Sequence, residues 1–212
     1  MRPVRGFTLI EVLLATVLLA AGLALALTTL RAATATVDRG EALAQRSERI
    51  RAVEGFLRRR IASAQQIAFQ TDADTGGISQ FVGEPHRLRF VADLPNYLGQ
   101  GGPHLHDIAV DDAGRAHRLT AAFGMVMTGR TIEPDAPRPP ETLVDDLVEL
   151  RLRYRGFDDT GALGGWQERW GPASLPLQVE VVIETERDGV WPTLVVTLPQ
   201  GTGQATTAVP LP

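Results

Sequence analysis

Arg5-Gly6-Phe7-Thr8-Leu9-Ile10-Glu11 opens an apolar run that continues to Leu30, and it sets one carboxylate at the head of that run. From Phe7 to Leu30 there are 24 residues without a proline and with one glycine, Gly22. As a helix rising about 1.5 Å per residue, such a segment spans the roughly 30 Å of a bilayer's hydrocarbon core. Arg2 and Arg5 precede it with no acid between them, so the positive-inside bias keeps residues 1–6 in the cytoplasm and sends the bulk of the chain across. Glu11 is the anomaly, because an acid near the centre of a membrane helix is unfavourable by about 2.5 to 3.5 kcal/mol.

Three kinds of segment compete for this pattern. A cleaved secretory signal has a shorter apolar core followed by a small-residue cleavage site, and this run is too long and carries a charge near its start. A plain single-span anchor accommodates the length but gives Glu11 no task beyond snorkelling to the interface. The third fits every residue. Gly6 followed by Phe7-Thr8-Leu9-Ile10-Glu11-Val12-Leu13 resembles the class III signal of type IV pilins and of the pseudopilins of type II secretion. The resemblance implies cleavage by a prepilin peptidase between Gly6 and Phe7, N-methylation of Phe7, and Glu11 as the fifth mature residue. A buried carboxylate is tolerable when it meets an opposite charge, and cleavage would create one in the Phe7 α-amino group. Glu11 of an incoming subunit is then expected to pair with the Phe7 amine of its neighbour.

The remaining sequence supports one further domain of ordinary size in a chain of 212 residues. Its 21 basic and 25 acidic residues give a net charge of −4. Removal of Arg2 and Arg5 leaves 19 against 25, a side-chain balance of −6. An acidic mature chain is a poor binder of nucleic acid, which demands a basic surface. Every basic residue is arginine, read as genome bias. Cysteine is absent, which rules out disulfides and thiolate metal sites.

Beyond Leu30, Ala32, Ala33, Ala35 and Val37 lead into Leu43, Ile50, Val53, Leu57, Ile61 and Ala64, with helical spacings from Leu43 on. The opposite face carries Arg46, Glu48, Arg49, Arg51, Glu54, Arg58 and Arg59, and Glu54 lies four before Arg58 in the favourable order for a helical ion pair. One long helix is expected from Phe7 to Gln66, weakened locally at Gly40 and Gly55. Its run Arg58-Arg59-Arg60 reads as a solvated face rather than a docking patch. Short alternating segments follow: Leu88-Phe90-Ala92, Ile108 to Val110, Leu119 to Phe123, Leu150-Leu152-Tyr154, Leu177-Val179-Val181-Ile183, and Trp191 to Leu198. Turns are expected at Gly83-Glu84-Pro85, Asp111 to Gly114 and Glu186 to Gly189, with loops at Leu94–Pro103 and Glu133–Glu141 and a disordered tail from Gly201 to Pro212. The fold class is therefore α+β, a pilin-like long N-terminal helix with one or two antiparallel sheets packed on its second half.

Candidates for chemistry are weak. His104 and His106 would share a face in a strand, yet no third metal ligand of suitable spacing accompanies them, and they read as loop-edge histidines. Asp158-Asp159-Thr160-Gly161 has a loose likeness to a calcium loop but lacks the alternating oxygens and the distal glutamate, so turn residues explain it better. Ser174 has no GxSxG setting, and the glycine-rich stretches lack the partners of a phosphate site. No catalytic residue, metal or cofactor is expected, and Trp166 and Trp170 read as core or loop anchors.

The C-terminal third sharpens the family. LVDDLVELRLRYRGFDDTG from Leu143, the segment from Gly165 to Trp170, Leu175-Pro176 leading into QVEVVIETERDG, and a strand closing at Leu198-Pro199 resemble the J-type minor pseudopilins. LPNYLGQGGPHL from Leu94 is similar to the version in xanthomonad-like systems, whereas residues 107–140 depart from the family pattern. This resemblance implies a subunit of the pseudopilus tip with no activity of its own, acting in export of folded proteins across the outer membrane. It implies I-type and K-type partners, with the H-type and major pseudopilins, the prepilin peptidase and the inner-membrane assembly platform beyond them, and no nucleic acid or small-molecule substrate. The expected order is a cleaved leader at 1–6, a membrane and filament-core helix at 7–30, an amphipathic periplasmic half at 31–66, a β-rich periplasmic domain at 67–199 and a flexible tail at 200–212. Val37, Leu43 and Ile50 are the candidates for packing against partner helices. A minor pilin of a type IV pilus and a membrane-tethered periplasmic enzyme or binding module are the rival readings.

Overall fold

The computed structural model describes residues 8–72, 76–94, 101–112, 117–132 and 138–200. Backbone contacts divide the chain into two units, one ending at Arg49 and one beginning at Ile50. Helix α1 runs Leu9–Ala62. In the first unit it is rich in Leu and Ala and free of proline, and the carbonyl of Thr8 accepts from the amides of Glu11 and Val12 at its start. The hydroxyls of Thr16, Thr28, Thr29 and Thr34 donate to carbonyls three or four residues earlier, so these polar groups need no water. The helix ends four residues short of the expected Gln66. The cause is tertiary, since the Gln65 amide donates to the carbonyl of Val91 at 2.8 Å and pulls the chain onto the sheet.

The second unit is a curled antiparallel sheet with the last turns of α1 against its concave face. Its strands are β1 (Gln70–Thr71), β2 (Ile78–Ser79), β3 (Phe81–Glu84), β4 (Arg87–Leu94), β5 (Gly102–Asp111), β6 (His117–Met127), β7 (Arg130–Ile132), β8 (Glu141–Arg155), β9 (Gln178–Thr185), β10 (Gly189–Val190) and β11 (Leu194–Thr197). The main sheet has the order β10-β9-β8-β6-β5-β4-β3, with β11 also beside β9 and β7 beside β6, while β1 and β2 form a separate small hairpin. Thr128 and Gly129, both at positive φ (52° and 75°), make the tight β6–β7 turn, whose primed geometry matches strand twist.

Alternation decides which residues enter the core. Leu88, Phe90 and Ala92 of β4, Ile108 of β5, Leu119 and Ala121 of β6, Leu150, Leu152 and Tyr154 of β8, and Val179, Val181 and Ile183 of β9 point to one face. Val53, Leu57, Ile61 and Ala64 pack against them. Leu57 is 2% exposed and Ile61 fully buried, and burying each such side chain stabilises by about 1.5 to 3 kcal/mol. On the other face Phe69, Val91 and Val126 form a smaller cluster, with the Arg89 guanidinium over the Phe69 ring.

The curl brings β3 near β8, and a segment of the β8–β9 connection fills the gap. Gly83 and Trp170 exchange both backbone hydrogen bonds, as do Tyr154 and Gln167. Tyr154 lies across this closure, its hydroxyl donating to the Glu84 carbonyl at 2.9 Å, and burial raises its pKa. Its ring rests on Gly83, where an added Cβ would come within 2.6 Å of ring carbon.

His104 and His106 are not loop-edge residues, because β5 begins at Gly102 and carries both to the core face. His106 is fully buried, stacked on Phe90 at 5.2 Å and edge-on to Phe123 at 5.0 Å, and Phe123 in turn meets Phe56 of the helix. Its Nδ1 contacts the His104 carbonyl at 3.0 Å, while its Nε2 is buried without a partner. Burial lowers its pKa from the ordinary 6.5 to about 4.

Gly83→Ala forces the Tyr154 ring out of place and lowers stability by about 1 to 3 kcal/mol, read as the urea midpoint of the tyrosine environment in near-ultraviolet circular dichroism. Because the folded pKa of His106 lies below its unfolded value, the unfolded chain binds the extra proton between pH 6.5 and about 4. Its contribution is intact above pH 6.5 and lost on acidification, by about 2 kcal/mol between pH 7 and pH 5. His106→Phe should remove that part of the pH dependence of the urea midpoint while keeping the stack.

Candidate functional site

Among the sequence-derived site residues, Gly6 and Phe7 lie outside the described residues. Glu11 stands in the first turn of α1, with the Thr8 hydroxyl 3.5 Å from its Oε2. No cation meets it among the described residues. Val12, Ala15, Thr16 and Leu19 surround it in a shallow apolar depression along the helix. The segment Leu9–Arg31 is long and apolar enough to cross a bilayer. Chemically this is a hydrogen-bond acceptor in an apolar setting.

Further along the same helix, exposure separates two uses of its apolar residues. Val37 is 58% and Leu43 61% exposed, whereas Val53 is 8% exposed. Ile50 opens the second unit and is half-buried against that unit's own core. The structure thus leaves Val37 and Leu43 without intramolecular cover in their unit and gives Ile50 part of its cover.

The Arg58-Arg59-Arg60 run divides by task. Arg58 reaches the Val195 carbonyl of β11 at 3.4 Å, and Arg60 donates to the Asp93 carbonyl of β4 at 2.9 Å. The helix end is therefore clipped to two separate strands. The expected Glu54–Arg58 pair does not form, because the Arg58 head group turns to Val195 and one oxygen of Glu54 is buried unpaired. Sequence spacing identified the arginines but could not show which carbonyls lay within their reach.

The weaker candidates resolve into structure. His104 and His106 each engage Nδ1 with the carbonyl two residues earlier at 3.0 Å, which occupies one ring nitrogen of each. Among the described residues no group of three metal-capable side chains occurs. Asp158 closes a turn on itself, its Oδ1 accepting from Thr160 N, Thr160 Oγ1 and Ala162 N. Those hydrogen bonds, that of the Thr160 hydroxyl foremost, hold its carboxyl below the usual range. The carbonyl of Ser174 accepts from Trp170 Nε1.

The two tryptophans hold the closure of the sheet. Trp170 lies over Gly156, where an added Cβ would meet its ring at 2.5 Å. Trp166 receives the guanidinium of Arg155 at 4.3 Å and that of Arg153 at 5.8 Å from its centroid. Arg153 is paired with Glu180 at 2.5 Å, and Arg155 Nε donates to Gln178 at 2.7 Å.

Residues 1–27 match the family described as the prokaryotic N-terminal methylation motif. The type II secretion system protein J of Xanthomonas campestris pv. campestris is 52% identical over 206 residues, covering 96% of this chain and 97% of that protein. In the crystal structure of the GspK-GspI-GspJ complex from the enterotoxigenic Escherichia coli type 2 secretion system, one chain is similar at a TM-score of 0.50 and 15% identity, over 72% of this chain and 98% of that one. At that identity the likeness bears on the fold, which is the same α+β arrangement of helix and curled sheet. Identity above half across nearly the full length of both chains shows that this chain belongs to the type II secretion system protein J family, the J-type minor pseudopilins, as a single-pass inner-membrane subunit of the pseudopilus.

Proposed function

We propose that this subunit works at the tip of the pseudopilus, joined to I-type and K-type pseudopilins, and primes assembly of the filament that exports folded proteins across the outer membrane. It does so as a structural part and catalyses no reaction. The observation that carries this reading is the exposure of Val37 and Leu43 on a helix whose later apolar residues are buried. The solved assembly in which a chain of this fold occurs contains GspI and GspK, which supports the choice of partners.

In this reading residues 1–6 are a leader removed by the prepilin peptidase, and Phe7 becomes the methylated N-terminus. Glu11 pairs with the Phe7 amine of a neighbouring subunit as the inner-membrane platform adds it. Val37 and Leu43, with the uncovered part of Ile50, pack against partner helices. The H-type and major pseudopilins follow below the tip. The acidic balance of the chain gives no support to a nucleic-acid partner.

Mass spectrometry of the purified protein should find a chain beginning at Phe7 with one added methyl group. A chain still carrying Arg5-Gly6 would remove the basis for the charge pair. Glu11→Val should leave cleavage intact and reduce exoprotein secretion at least tenfold, and normal secretion by that variant would contradict the pairing. In membranes solubilised after co-expression of full-length subunits, Val37→Glu with Leu43→Glu should lower recovery of the I-type or K-type partner at least tenfold. Undiminished recovery would place the contact elsewhere.

A further inference from the structure

Strands β8 and β9 carry two outward-facing rungs of opposite character. At one, Arg153 stands opposite Glu180 and the two form a close ion pair. At the other, Glu149 stands opposite Glu184. Like charges directly opposed across a sheet destabilise it, and neither carboxylate has a hydrogen bond or ion pair among the described residues.

The backbone concentrates exposed apolar surface at the same place. The β8–β9 register slips between Leu147 and Glu149, so that Val148 and Glu149 together face Glu184. A bulge of this kind re-aims a side chain, and Val148 is 49% exposed where strict alternation would have buried one neighbour in two. On the far side of Glu184, β10 places Val190, which is 64% exposed. Three adjacent strands thus present valine, two glutamates and valine in a row.

The platform is fixed rather than loose. The Glu186 amide donates to the Asp146 carbonyl at 2.9 Å, the Arg187 amide to the Asp146 carboxylate at 3.2 Å, and the Asp188 amide to Thr185 Oγ1 at 3.1 Å. Gly189, at φ +67°, carries the chain from this turn into β10. Arg151 is exposed on the same face one rung along β8 but forms no ion pair with either glutamate among the described residues, so this rigid acidic pair between aliphatic side chains suits a complement bearing a cation between apolar groups.

We propose that the face formed by Val148, Glu149, Glu184 and Val190 docks a neighbouring pseudopilin subunit, which inserts an arginine or lysine between the two glutamates and packs aliphatic carbon on the two valines. The inference rests on the assembly role proposed above, and it adds a second contact surface on the sheet to the one on the helix. Charge complementarity selects the occupant. A second copy of this chain is the alternative occupant that the test must distinguish.

The test uses full-length subunits co-expressed and solubilised together. Glu149→Gln with Glu184→Gln should reduce recovery of one partner pseudopilin several-fold and flatten its salt sensitivity, because the exposed charges that salt would screen are gone. Glu149→Arg with Glu184→Arg should reduce it at least tenfold. The thermal midpoint of the glutamine variant should equal or exceed that of the parent, since a repulsive rung is removed, and that of the arginine variant should match the parent's, one like-charge rung replacing another. The chain has no cysteine, so Val190→Cys carries a benzophenone reagent at one position, and irradiation should join it to a different pseudopilin. Undiminished recovery of both charge variants, or a crosslink to a second copy of this chain, overturns the proposal and leaves the tip role standing. Failure of the parent chain to recover any pseudopilin overturns both.

Discussion

The seating of Val53, Leu57, Ile61 and Ala64 in the concave face of the sheet is the contact on which the rest of the second unit depends. These residues recur every three or four positions, so they make one stripe along the helix, and a curled sheet is the surface that covers such a stripe on several sides. The curl follows from this demand, and it leaves a gap that β3 and β8 cannot close directly. Trp170 and Gln167 close it through backbone pairs to Gly83 and Tyr154, and Gly83 and Gly156 have no side chain because aromatic rings occupy that space. Arg58 and Arg60 fasten the same helix turns to β11 and β4.

That dependence explains what could be read in advance. Leu150-Leu152-Tyr154 and Val179-Val181-Ile183 alternate strictly, and they are core residues of β8 and β9. Val144 and Leu147 are equally buried but break the period of two, since bulges interrupt β8 against both neighbours, and no sequence rule marks where a strand slips. The extent of β5 was hidden for another reason. His104 and His106 occupy core positions in a strand that reads as a polar loop, and His106 is accommodated there because Phe90 and Phe123 flank it and the His104 carbonyl accepts a hydrogen bond from its Nδ1–H. The helix was legible in kind but not in its end, because Gln65 leaves it for a partner far away in sequence.

The helical part of the site was legible for a physical reason. Glu11 is conspicuous because it is alone in a long apolar run, and Leu43, seven residues before Ile50, continues a stripe whose later members are buried, with Val37 exposed before it. A periodic stripe covered over only part of its length implies that something else covers the remainder. The sheet surface at Glu149 and Glu184 was not legible, because the two residues are 35 positions apart and only strand pairing makes them neighbours.

The unpaired carboxylates differ in what they can contribute. Glu11 stands in the first turn of an apolar membrane-length segment, where an unpaired charge is unfavourable, and on the proposed reading its meeting with a cation favours assembly. Glu149 and Glu184 sit in water, where an opposed pair costs about 0.2 to 1 kcal/mol, too little to drive association by itself. A weak repulsion at one rung, beside a satisfied Arg153–Glu180 rung, instead discriminates: it penalises an acidic or misregistered neighbour and rewards one that places a cation there. On the proposed reading the membrane charge supplies the drive common to all subunits of such a filament, and the sheet charge helps to select which subunit stands beside this one.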